Sequence, residues 1–89
     1  MAEPVTWRIL VADSTARYLQ RQTAEVQKRI RERLQELQAG PLGRAKPLHG
    51  RSQWSLRVGG LRLLLEVDEG AHVITVVAAG PRGDVYKNR

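Results

Sequence analysis

Residues 54–67, WSLRVGGLRLLLEV, are two runs of alternating apolar residues on either side of a Gly-Gly pair. A two-residue loop of glycines suits a tight hairpin turn that needs positive φ, and the runs that flank it then become antiparallel neighbours. With Gly59-Gly60 as the loop, Val58 faces Leu61, Arg57 faces Arg62, Leu56 faces Leu63 and Trp54 faces Leu65. Opposed residues of an antiparallel pair share a face. One face is therefore Trp54, Leu56, Val58, Leu61, Leu63, Leu65 and Val67, and the other carries Ser55, Arg57, Arg62, Leu64 and Glu66. Two arginines directly across from each other repel. An anion lying over both is the simplest reason to keep them.

The rest of the chain supplies layers for this hairpin. Val5 to Val11 reads as a short strand, with Trp7 and Ile9 alternating against Thr6, Arg8 and Leu10. Asp13-Ser14 offers an N-cap, and from Ala16 to Leu37 the residues Ala16, Leu19, Val26, Ile30, Leu34 and Leu37 fall at helical spacing, with Thr23 in the gap. Periodicity fits one long helix, or two with Thr23 capping the second. Gly40-Pro41 ends the helical region. Leu42 to Ser52 reads as a basic loop broken by Pro47 and Gly50. After the hairpin, His72 to Ala79 is nearly all apolar, as a central strand covered on both faces would be, and Gly80-Pro81 stops it. The expectation is one α+β domain spanning residues 1–89, with helices on one face of the sheet.

Composition excludes several functions. With no cysteine there is no disulfide, thiolate zinc site or cysteine nucleophile. His49 and His72 stand apart from any ligand spacing, so no metal or cofactor is expected. The start of the chain lacks an apolar run of signal-peptide length, and no stretch suits a membrane span, so a soluble, cytoplasmic protein is expected. Fifteen Lys and Arg against nine Asp and Glu give a net charge of +6, and only Lys28, Lys46 and Lys87 are lysines. Arginine's planar fork suits phosphate, so nucleic acid or an acidic protein is the expected partner.

Arg57, Arg62, Arg82 and Tyr86, with the basic loop, form a set that can act on a phosphodiester without a metal. RNA cleavage needs a base to deprotonate a ribose 2′-hydroxyl, positive charge on the phosphate, and an acid or cation at the leaving 5′-oxygen. Arginines supply the charge. A tyrosine, with a free pKa of about 10, serves as a base only where neighbouring cations favour its phenolate. Taken singly, Arg62 also reads as an inter-strand cation and Tyr86 as a packed ring.

These residues carry a resemblance. Lys46-Pro-Leu-His-Gly50, the hairpin Trp54 to Val67, Val73 to Gly80 and the ending Arg82-Gly-Asp-Val-Tyr86 resemble the RelE/ParE superfamily of bacterial and archaeal toxins over nearly the whole chain. The resemblance implies a small antiparallel-rich sheet in the order β-α-α-β-β-β, with a helical hairpin on one face broken near Gln22-Thr23. It also implies a toxin of a type II toxin-antitoxin system, a ribosome-dependent endoribonuclease that cuts mRNA in the A site. An acidic cognate antitoxin, the ribosome and mRNA are the implied partners. Arg62 matches the family's arginine that stabilises the phosphate in the transition state. Arg82 matches the one that contacts phosphate and helps the leaving group, and Tyr86 the general base or stacking ring. Arg44, Lys46, Arg51 and Arg57 are the expected RNA-binding residues. Ser55 stands where some active members have a second lysine. Within the superfamily the alternative is a ParE-type inhibitor of DNA gyrase; outside catalysis it is a homologue that only binds antitoxin or RNA.

Overall fold

The computed structural model describes residues 6–41, 43–48 and 53–81. The expected hairpin forms in the expected register: Arg57 pairs with Arg62, Val58 with Leu61, Leu56 with Leu63 and Trp54 with Leu65. Its strands are β3 (Gln53–Val58) and β4 (Leu61–Asp68). Gly59 takes φ +58°, whereas Gly60 does not enter positive φ. That φ pattern matches a type II′ turn, whose positive angle is at the first central position.

Before the hairpin come β1 (Arg8–Val11), α1 (Asp13–Gln20), α2 (Ala24–Glu36) and a 3₁₀ turn at Leu37–Ala39; β5 (Val73–Pro81) follows it. The order β-α-α-β-β-β is present with one addition. Lys46–Pro47, expected to be loop, forms a short edge strand β2 that pairs Lys46 with Ser55 and Pro47 with Trp54. Proline is tolerated there because an edge strand has one unpaired side. The sheet order is β1-β5-β4-β3-β2, with β1 parallel to β5 and the other pairs antiparallel. The first strand begins at Arg8, later than the expected start, and Val5 lies outside the described residues.

Helix breakage falls at Gln22-Thr23, as the resemblance implied. The Val26 N–H donates to Thr23 Oγ1 at 3.2 Å, which caps α2. Gln27 then ties α2 back to α1, its Nε2 donating to Gln20 O at 3.1 Å and Gln22 O at 2.8 Å. These bonds satisfy carbonyls that a helix end leaves open. Thr23→Ala is expected to cost about 1 kcal/mol of stability, read as a lower urea midpoint with an unchanged slope. The α1 cap differs from expectation. Ala12 is its N-cap without a side-chain bond, and Asp13 is already the first helical residue, where its carboxylate favours the positive end of the helix dipole.

Both helices pack on the apolar face. Leu19, Ile30 and Leu37 meet Leu56, Val58, Leu63, Leu65, Val67, Ile74 and Val76 in one core. Trp7 closes one end: its backbone N–H donates to Gln38 O at 2.9 Å, and its indole lies over Gly40. Gly40 has φ +113°, which strains any other residue, and a Cβ there would also crowd Trp7 Nε1 at 3.2 Å.

The strand β5 is not covered on both faces. Ile74 and Val76 are fully buried, whereas Val73, Thr75 and Val77 are only half-buried. Its continuous apolar run has a second cause, a β-bulge. Leu64 pairs with Ala78 but Leu65 with Val76, so Val77 is the extra residue. The bulge turns Ala79 to the same face as Val76, and both pack on the core. The strand also runs through Gly80 to Pro81, past the expected stop.

Candidate nucleic-acid interface

The sheet face away from the helices carries charge. Register places Lys46, Ser55 and Leu64 side by side across β2, β3 and β4, with Arg57, Arg62 and Gly80 across β3, β4 and β5. Leu64, expected on this polar face, is 4% exposed and forms an apolar floor between Ser55 and Ala78. Gly80 adds no side chain beside Arg62. Arg57 is exposed and Arg62 half-buried.

These residues share a cleft of about 590 Å³ lined by Arg33, residues 43–48, Ser55, Arg57 and Arg62. The segment carrying Arg44 is folded by the Arg44 and Ala45 N–H groups, which donate to Pro41 O at 3.1 and 3.0 Å. Among the described residues of the lining, five are cations and none is a carboxylate. A concave surface of one sign concentrates polyanions, and arginine forks supply paired donors to phosphate oxygens.

Of the expected site residues, Arg44, Lys46, Arg57 and Arg62 come together in this cleft. Arg51, Arg82 and Tyr86 lie outside the described residues, as does His49. His72 is far from this chemistry in kind: its ring packs edge-on against Trp7 with centroids 5.0 Å apart. Arg33 was not expected. It reaches the cleft from α2, and its Nε stands 3.8 Å from Glu36 Oε1. Position 33 lies three residues after buried Ile30 and four before buried Leu37, so it borders the stripe that meets the sheet. That placement was the available signal among many helical arginines.

Like charges directly opposite on neighbouring strands, as Arg57 and Arg62 are, are unfavourable. Arg57→Thr is expected to raise stability by roughly 0.2–1 kcal/mol while weakening binding of single-stranded RNA. Urea denaturation and an RNA titration on the same preparation check the two signs.

Comparison with known families gives the cleft a context. The family model of the ParE toxin of type II toxin-antitoxin system, parDE, matches residues 10–86. The chain belongs to this toxin family. Within the wider RelE/ParE superfamily, its fold is similar to that of solved RelE structures. The chain is 22% identical to RelE in the archaeal RelE–RelB complex from Pyrococcus horikoshii, with a TM-score of 0.77 covering 88% of this chain and 97% of that one. The toxin-antitoxin complex RelBE2 from Mycobacterium tuberculosis matches at 22% identity and a TM-score of 0.76, covering 88% of this chain and 100% of that chain. A doubly substituted variant of E. coli toxin RelE in the free state gives 18% identity and a TM-score of 0.77, covering 92% of each chain. No curated protein sequence matches the chain. The ParE-family toxin thus shares the RelE architecture of two helices on a mixed sheet. Among its described residues, no helix is long and apolar enough to cross a membrane.

Proposed function

We propose that this toxin is a ribosome-dependent endoribonuclease that cuts mRNA in the A site. The observation that supports this reading most is the cleft in which Arg57 and Arg62 stand paired beside Arg44 and Lys46, with no carboxylate among its described lining residues. A ribose 2′-hydroxyl loses its proton and its oxygen bonds to the adjacent phosphorus. The bond from phosphorus to the 5′-oxygen breaks, leaving a 2′,3′-cyclic phosphate and a 5′-hydroxyl. Arg62 stabilises the charge that builds on the phosphoryl oxygens. Arg44, Lys46, Arg51 and Arg57 hold the strand. Tyr86 takes the 2′-proton or stacks on a base, and Arg82 assists the departing oxygen; these two roles rest on the sequence resemblance. The reaction takes place in the cytoplasm, on translating ribosomes.

A message with a single 2′-deoxynucleotide on the 5′ side of the cut tests the chemistry. It is expected to resist cleavage at that bond while neighbouring sites still react. Cleavage there at the normal rate would contradict attack by the 2′-oxygen.

The ParE family match favours a second reading, inhibition of DNA gyrase. It requires no 2′-hydroxyl and no RNA cleavage. In either case the cognate antitoxin is the protein partner, as RelB accompanies RelE in the archaeal and mycobacterial complexes. An acidic antitoxin segment would complement the cationic cleft.

A further inference from the structure

The Arg57–Arg62 pair is one part of the cleft's lining. Residues 43–48, which include the β2 edge strand, and Arg33 of α2 also line it. One phosphate can lie across Arg57 and Arg62, which are neighbours on adjacent strands. Arg33 belongs to the helical layer and not to the β3–β4 pair, so its place in the lining is independent of the cross-strand register.

Arg33 is also held in a form that can exchange partners. Its ion pair with Glu36 is an i,i+3 contact of 3.8 Å, with the two side chains 43% and 55% exposed. Such solvent-exposed pairs contribute little and are given up readily. A phosphate entering the cleft offers Arg33 a stronger, forked acceptor than that distant carboxylate oxygen.

We propose that Arg33 forms a second phosphate subsite, which engages a neighbouring phosphodiester of the same single-stranded RNA whose reacting phosphate lies over Arg57 and Arg62. Glu36 occupies Arg33 when the strand is absent and competes with it. The strand therefore tracks from the β3–β4 face across the β2 edge toward α2. This inference rests on the RNA reading of the cleft, and Arg33 acts in it as a binding residue.

The test compares two probes that differ in phosphate number, a 2′-O-methyl dinucleotide with one internucleotide phosphate and a 2′-O-methyl tetranucleotide with three. Neither can be cleaved by 2′-attack. Amide NMR titrations of the full chain give both affinities at several salt concentrations. Arg33→Gln is expected to weaken the tetranucleotide about threefold, as loss of one exposed charge contact would, and to leave the dinucleotide unchanged. The salt slope for the tetranucleotide should fall by about 0.7, the value for one phosphate contact on a single strand. Glu36→Gln should shift tetranucleotide affinity the opposite way. Arg62→Gln should weaken both probes.

Equal effects of Arg33→Gln on both probes, or no effect on either, would overturn the subsite. So would a Glu36→Gln change that leaves the tetranucleotide unaltered. If wild type binds neither probe with a salt-dependent affinity, and also fails to cut a ribosome-bound message, the RNA reading itself falls. Cleavage by wild type with an inert Arg33 removes the subsite alone. Arg33→Gln and Glu36→Gln alter side chains that are 43% and 55% exposed, and an unchanged urea midpoint for Arg33→Gln verifies the fold.

Discussion

Arg62→Ala is expected to slow single-turnover cleavage of a ribosome-bound message by about 10²–10³-fold, the usual effect of removing one preorganised donor to a developing oxyanion. Arg62 lies on β4 with Arg57 on one side and Gly80 on the other, so its side chain works beside a second cation and a neighbour without a side chain. Its half-burial restricts its movement and reduces competition from water. Arg62→Lys should recover part of the rate, because it restores charge without the planar fork. Near-wild-type cleavage by Arg62→Ala would remove the residue from the chemistry. The residue lies on the face away from the core, so the urea midpoint of Arg62→Ala should not fall, and that midpoint separates lost chemistry from lost fold.

Leu63→Ala is expected to cost about 2–5 kcal/mol of stability, the range for large-to-small changes in a closed core. Leu63 is completely buried on the sheet's central strand, between Leu56 of β3 and Ala79 of β5. Alanine on one side leaves little side chain to collapse into the space. Total stabilities of natural domains are only about 5–15 kcal/mol, so the variant should be partly unfolded or close to it. A fall in urea midpoint on the order of 1–2 M would register the loss. A shift below a few tenths of a molar would mean that the helical layer does not seal this position.

The hairpin was legible because two signals agreed: period-two alternation and a glycine pair able to take positive φ. Its register alone sets Arg57 against Arg62. The break at Thr23 was not legible from periodicity, because Leu19 and Val26 continue a single stripe across it. The capping bond to Thr23 and the two bonds from Gln27, one to Gln20 of α1 and one to Gln22 in the turn, decide it in three dimensions. Lys46–Pro47 gave no strand signal, since two residues cannot alternate and proline argues against pairing except at an edge. The bulge at Val77 was hidden because every residue around it is apolar or small. Asp13 resembled a cap because a carboxylate is favourable both at the cap and in the first turn. For the site, charge and register found Arg57 and Arg62, whereas Arg33 depends on how α2 meets the β2 edge, which is a tertiary fact.

The central claim is that the cationic cleft makes this ParE-family toxin an mRNA endonuclease, and one preparation can be put to both targets. Primer extension on a defined message in a purified translation system should reveal cuts at A-site positions that depend on ribosomes and disappear with Arg62→Ala. Gyrase supercoiling, run alongside at the same toxin concentration, should be unaffected. Intact message together with arrested supercoiling would contradict the account and assign the toxin to gyrase.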